Sequence, residues 1–174
     1  MGMLQQELDS RKTVTLAVAA VTAGASATEK AVFASQENTW ITDVTFIPEA
    51  TIAADNTNYQ TYQLLAKGTG GTGTTVIAQA TTSATPGAGV VGGLTSFVPV
   101  QIGGEIPAAV TGTFNSGTEP AFATGLPVPN NFVAIGTAVS FKITPAPTSI
   151  NSPAGILVVQ YSTSPALSNI QNLG

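Results

Sequence analysis

Hydrophobic and polar positions alternate with a period of two along much of this chain, as they do in strands whose successive side chains point to opposite faces. The pattern is densest between residues 39 and 82. There WITDVTFI (40–47), YQTYQLLAK (59–67) and TTVIAQAT (74–81) are rich in β-branched and aromatic residues. In the first, Trp40, Thr42, Val44 and Phe46 fall on one face, and Ile41, Asp43, Thr45 and Ile47 on the other. Gly68, Gly70, Gly71 and Gly73 separate the second segment from the third, and predict a hairpin whose turn uses the positive φ open to glycine.

Further strand candidates flank this centre: TVTLAVAAV (13–21), KAVFAS (30–35), TSFVPVQI (95–102), residues 108–114, FVAIGTAVSFKIT (132–144) and GILVVQY (155–161). Pro99 marks the fourth of these as an edge or bulge. No segment has a convincing helical period. About nine short strands with turn residues between them predict an all-β sandwich or barrel, and eight strands in two sheets give a jelly roll. The expected organisation is an N-terminal arm (1–12), a jelly-roll β-sandwich domain (13–162) and a polar C-terminal tail (163–174). Trp40, Phe46, Tyr62, Phe141 and Tyr161 are the expected core anchors. Residues 83–93 and 115–131, rich in Gly, Pro and small polar residues, are expected as loops.

Charge changes the picture more than length does. Lys+Arg number 5 and Asp+Glu 9, so charged residues are 8% of the 174 residues, against about 25% in typical soluble domains. None lies between Gly68 and Gly104 or after Lys142. Such a chain must keep its surface wet with Thr, Ser, Asn and Gln, or bury much of it in an assembly. A formal charge of −4 without a basic cluster argues against nucleic acid as a partner. No run of about 20 apolar residues predicts a membrane-spanning helix. Residues 11–28 imitate a signal peptide, with Arg11-Lys12, an apolar run and small residues. Two acids before the run and threonines inside it argue against that reading.

Candidate chemistry is thin. Histidine and cysteine are absent, which removes the commonest acid–base side chain, the commonest metal ligand and any thiol nucleophile. Gly68 to Gly73 satisfies G-x-G-x-x-G in form, but it leads into β-branched strand residues, with no acid until Glu105. A hairpin is the better reading than a dinucleotide site. Asp43 and Glu49 could be imagined as a glycosidase pair, although Asp43 lies mid-strand. Asp55, Asn56 and Asn58 could offer oxygens to calcium, yet the same residues make turns. Serines are plentiful but lack a base to activate them. Trp40, Tyr59, Tyr62 and Tyr161 could stack on sugar rings, or pack in a core or interface. No catalytic residue, cofactor site or metal site is predicted, and the chain is not expected to be an enzyme.

The segments WITDVTFIPEATI, NYQTYQLLAKGTGGTGTTVIAQ, FVAIGTAVSFKIT and PAGILVVQY resemble small jelly-roll virion proteins of tailed bacteriophages, among them capsid decoration (cement) and head-fibre proteins. Lys67, Gly68, Gly71, Gly73, Thr74 and Thr75 match the family's hairpin. Gly155, Leu157, Val159 and Tyr161 match its closing strand. At Gly136-Thr137 the chain departs from the family, which often has Asp at the second position. The resemblance implies a homotrimer on the outer surface of an icosahedral head, bound to the major capsid protein. It makes the arm, with Leu4, Glu7, Asp9, Arg11 and Lys12, the expected contact with the shell or an adjacent copy. Two other readings stay open: a fibre tip that recognises host glycan through exposed aromatics, and a bacterial surface β-domain.

Overall fold

The computed structural model describes residues 11–85, 90–104 and 132–163. Among them are ten strands and no helix: β1 (Arg11–Val18), β2 (Thr28–Ala34), β3 (Thr39–Pro48), β4 (Thr61–Ala66), β5 (Thr75–Thr81), β6 (Val100–Gln101), β7 (Gly103–Gly104), β8 (Phe132–Val133), β9 (Ala138–Thr144) and β10 (Gly155–Ser162). They form two antiparallel sheets. The first has the order β1-β10-β3-β6, with β8 also paired to β3, and the second the order β2-β9-β4-β5-β7. Only the β4–β5 hairpin joins sheet neighbours that follow one another in the chain. Every other described link carries the chain from one sheet to the other. Two five-stranded sheets wound in this order make a jelly-roll sandwich.

The alternation read from the sequence decides which side chains enter the sandwich. Leu157 and Val159 of β10, Val44 and Phe46 of β3, Tyr62 and Leu64 of β4, and Phe141 and Ile143 of β9 are at most 2% exposed and belong to one core. Phe46, Tyr62 and Phe141 form its centre, with ring centroids 5.2 Å apart for Phe46–Tyr62 and 6.1 Å for Phe46–Phe141. Burying a ring of this size contributes about 1.5–3 kcal/mol. Gly155 opens β10 directly against this cluster. A Cβ there would strike the Ile47 carbonyl oxygen and come within 2.7 Å of the Phe46 ring, so close packing demands glycine at this position.

Trp40 is not a core residue. The β3–β10 register shifts between Gln160 and Tyr161, so that Gln160 pairs with Asp43 but Tyr161 with Ile41. Thr42 is the extra residue of a bulge, which reverses the faces of the strand beyond it. Ile41, assigned by strict alternation to the face opposite Val44 and Phe46, is therefore fully buried with them. Trp40 turns outward and packs at 5.3 Å on Phe132. Tyr161 is half-buried at the margin of the core, stacked on Phe33 at 4.9 Å.

Two predicted strands are shorter than expected. The 132–144 segment is split into β8 and β9 by a turn at Gly136, where φ is +80°. In the 95–102 segment only Val100 and Gln101 pair as a strand. Arg11 and Lys12 belong to β1, paired with Ser162 and Tyr161, so the boundary expected between arm and domain at residue 12 falls inside a strand. Leu4, Glu7, Asp9, residues 108–114, the 115–131 loop and the tail beyond 163 lie outside the described residues.

Candidate contact surfaces

The outer face of the first sheet is built by the residues that alternate with the core. Direct partners in an antiparallel pair share a face, so the β1–β10–β3–β6 register assembles it row by row. One row is Thr13, Gln160 and Asp43; the next is Thr15, Val158, Thr45 and Gln101; a third is Ala17, Ile156 and Ile47. At the far end, Arg11, Ser162, Trp40 and Phe132 complete a fourth. The second and third rows carry no charge. Ile156 is 45% exposed, with Ala17 and the half-buried Ile47 beside it. Asp43 is engaged within the face: one carboxylate oxygen accepts from Gln101 Nε2 at 2.7 Å and the other from Thr45 Oγ1 at 2.9 Å. Two neutral donors thus orient this carboxylate within the face, with no ion pair to it among the described residues.

The loop before β6 presents a second feature. Phe97 is 73% exposed and Val98 48%, and Phe97 has φ +58°. A left-handed backbone costs a bulky L-residue about 1–2 kcal/mol. The surroundings enforce it. Phe97 N–H donates to Pro48 O at 2.7 Å and Val98 N–H to Thr95 O at 3.0 Å. Ser96 N–H donates to Thr51 Oγ1 at 3.0 Å, and Ser96 Oγ to Glu49 O at 2.8 Å. Four hydrogen bonds thus fix a turn that aims a phenylalanine into solvent. Nothing in the alternation of TSFVPVQI signals this, because the constraint comes from the 48–51 segment.

A third feature lies at the opposite edge. The segment leaving β1 and the start of β2 enclose an apolar cavity of about 120 Å³, with Val18, Val21, Phe141 and Ile143 in its wall and Ala19, Ala20, Thr28 and Lys30 around its mouth. Lys30 pairs with Phe141 in the register, so it occupies an inward position on an edge strand. Its ammonium reaches across the gap and donates to Ala17 O at 3.2 Å. Among the described residues it has no carboxylate partner.

The outer face of the second sheet is different. Its rows include Glu29, Lys142, Gln63 and Gln79, and next to them Ala31, Ser140, Leu65 and Val76. Lys67 Nζ lies 2.9 Å from Glu29, and Ser140 Oγ donates to the same carboxylate at 2.5 Å. These donors hold the Glu29 carboxyl below its usual range. Gln63 Nε2 donates to Gln79 Oε1 at 2.7 Å.

The remaining sequence candidates are structural. In the β4–β5 turn Gly68 and Gly71 have φ of +65° and +71°. Gly73 is required by close approach, since a Cβ would lie 2.8 Å from the Lys67 carbonyl carbon. Gly70 has neither constraint. The Asp55 carboxylate accepts from the Thr57 and Asn58 amides at 2.7 and 2.6 Å, which lowers its pKa and makes it a turn cap. Asn58 Oδ1 accepts from Thr148, so these oxygens are already used. Among the described residues no group of three metal-ligating side chains occurs. Lys12 pairs with Glu37 at 2.8 Å. Tyr62 is 1% exposed and cannot meet a glycan, whereas Tyr59 is 42% exposed. No described helix is long and apolar enough to cross a membrane.

No protein-family model matches the chain, and no curated protein matches it. Comparison with solved structures finds "Structure of infectious bursal disease virus Gx strain", at 10% identity and a TM-score of 0.35. The match covers 88% of this chain and 32% of that one, so the chain spans about a third of its length.

Proposed function

We propose that this chain is a non-enzymatic virion structural protein that decorates and cements a bacteriophage capsid by binding the major capsid protein on the outer surface of the head. The observation that carries the reading is the outer face of the first sheet, where the adjacent rows through Val158 and Ile156 are uncharged and Ile156 stands open to solvent. Docking such a face strips water from apolar and hydroxyl groups but from few ions, whose desolvation is the large opposing cost at protein interfaces. An all-β sandwich offers a whole sheet face to such a contact. The composition agrees, with charge kept to 8% of residues.

Residues 1–10 belong to the same proposal as a second shell contact. Because β1 begins at Arg11, a truncation that removes residues 1–10 leaves the strand intact, whereas one that removes 12 residues cuts into it. The test is co-sedimentation of purified protein with assembled shells of the major capsid protein. Wild type is expected to pellet with shells, and the 1–10 truncation to pellet less while keeping its melting temperature. Wild type left in the supernatant at every concentration would refute the cement role.

A further inference from the structure

We infer that copies of this chain join edge to edge, with Phe97 of one copy seated in the cavity between β1 and β2 of the next. This deepens the assembly reading above, but it is tested without any shell. Knob and hole are complementary in chemistry and close in size. The knob is a single aromatic ring, 73% exposed and held out by a turn with φ +58° at its own residue. The hole is an apolar cavity of about 120 Å³, and a cavity of about 150 Å³ is known to accommodate a benzene ring. Its wall is Val18, Val21, Phe141 and Ile143. At the mouth stands Lys30, whose ammonium contacts only a backbone carbonyl among the described residues, and an ammonium is drawn to the face of an aromatic ring.

The two features also lie where self-assembly needs them. Phe97 leads into β6, one margin of the first sheet, while β1 and β2 are the margins of the two sheets on the other side. Three strand spacings of about 4.8 Å separate β1 from β6, so Phe97 does not reach the cavity of its own chain. A contact from one edge to the other is heterologous, and it closes into a ring or runs on as a filament according to its rotation. A homotrimer is the smallest such ring beyond a pair. The strained backbone is the expected signature of a residue kept for binding and against local stability.

The experiment is sedimentation equilibrium of the full chain, alone and in mixtures. Wild type should associate at concentrations up to about 100 μM. Phe97→Asn, which places a residue tolerant of left-handed geometry at this position, should weaken association at least about 30-fold, with a melting temperature equal to or above wild type. Ala20→Trp, which fills the mouth of the cavity, should weaken it similarly. Mixing the two variants supplies one intact knob and one intact hole, so the mixture should form heterodimers and stop there. A monomeric wild type, unchanged association of Phe97→Asn, or a mixture that stays monomeric would each overturn the proposal. Failure here leaves shell co-sedimentation unaffected, and the two readings fail separately.

Discussion

The two outer faces of this sandwich are made by the same rule and finished with different chemistry. On the second sheet the row through the middle strands reads Glu29, Lys142, Gln63 and Gln79, with Lys67 and Ser140 holding the Glu29 carboxylate. On the first it reads Thr15, Val158, Thr45 and Gln101. One face is finished for water, with Glu29 paired to Lys67 and the Gln63 and Gln79 amides linked. The other gains little from water and loses little by leaving it. A chain with 14 charges (5 + 9) in 174 residues places its described ion cluster on one side of the fold. The face left without one is the side to examine for a partner.

The largest expected effect comes from reversing that asymmetry. Ile156→Lys together with Val158→Lys puts two cations in the uncharged rows and should weaken shell docking by about 100-fold or more, as loss of central contacts does. Stability should move by less than about 1 kcal/mol, because both sites face outward. The matched change on the other face, Lys142→Glu, should leave docking unaltered; equal losses from both faces, measured by co-sedimentation, would erase the distinction. Next in size is the ion pair itself. Lys67→Met leaves Glu29 without its nearest cation and should cost about 0.5–1 kcal/mol in denaturant unfolding, because the Glu29 side chain is 35% exposed and screened by water. Asp43→Asn on the first sheet keeps an acceptor for Gln101 and should cost about half of that or less.

A smaller effect is expected with pH. Lys67 and then Ser140 hold the folded Glu29 carboxyl below its ordinary value of 4.5. Its contribution is therefore full above about pH 4.5 and is lost as acid protonates the folded carboxylate. Asp55, held down by the Asn58 and Thr57 amides, acts in the same direction. At the alkaline end, burial pushes the Tyr62 phenol up from 10.0. Stability is then full below about pH 10 and falls as the unfolded phenol ionises above it. With no histidine in the chain, the melting temperature should be flat between about pH 5 and about pH 9. Glu29→Gln should remove part of the acid limb. A transition near neutral pH would contradict the pairing described.

Much of the sandwich was legible because alternation is a local signal. AVSFKIT shows its buried face directly, and the glycines after Lys67 mark a real hairpin. What escaped was set by distant parts of the chain. The bulge at Thr42 reverses the roles of Trp40 and Ile41, and the extra residue is visible only against β10. Phe97 looks like an ordinary strand residue until Pro48 O accepts its amide and turns it outward. Ile156 looked like one more apolar residue in a buried strand; its place on an outer face follows from the register with β1 and β3. Lys30 offered no signal beyond its charge, because its inward position depends on pairing with Phe141.

Side-chain footprinting with hydroxyl radicals, on free protein and on protein bound to shells, compares the two faces within a single molecule. Reactivity of Ile156, Val158 and Ile47 should fall on binding while that of Lys142 and Val76 stays unchanged. Protection of the Lys142 face with Ile156 still reactive would show that the partner sits on the wrong sheet, and would contradict the assignment.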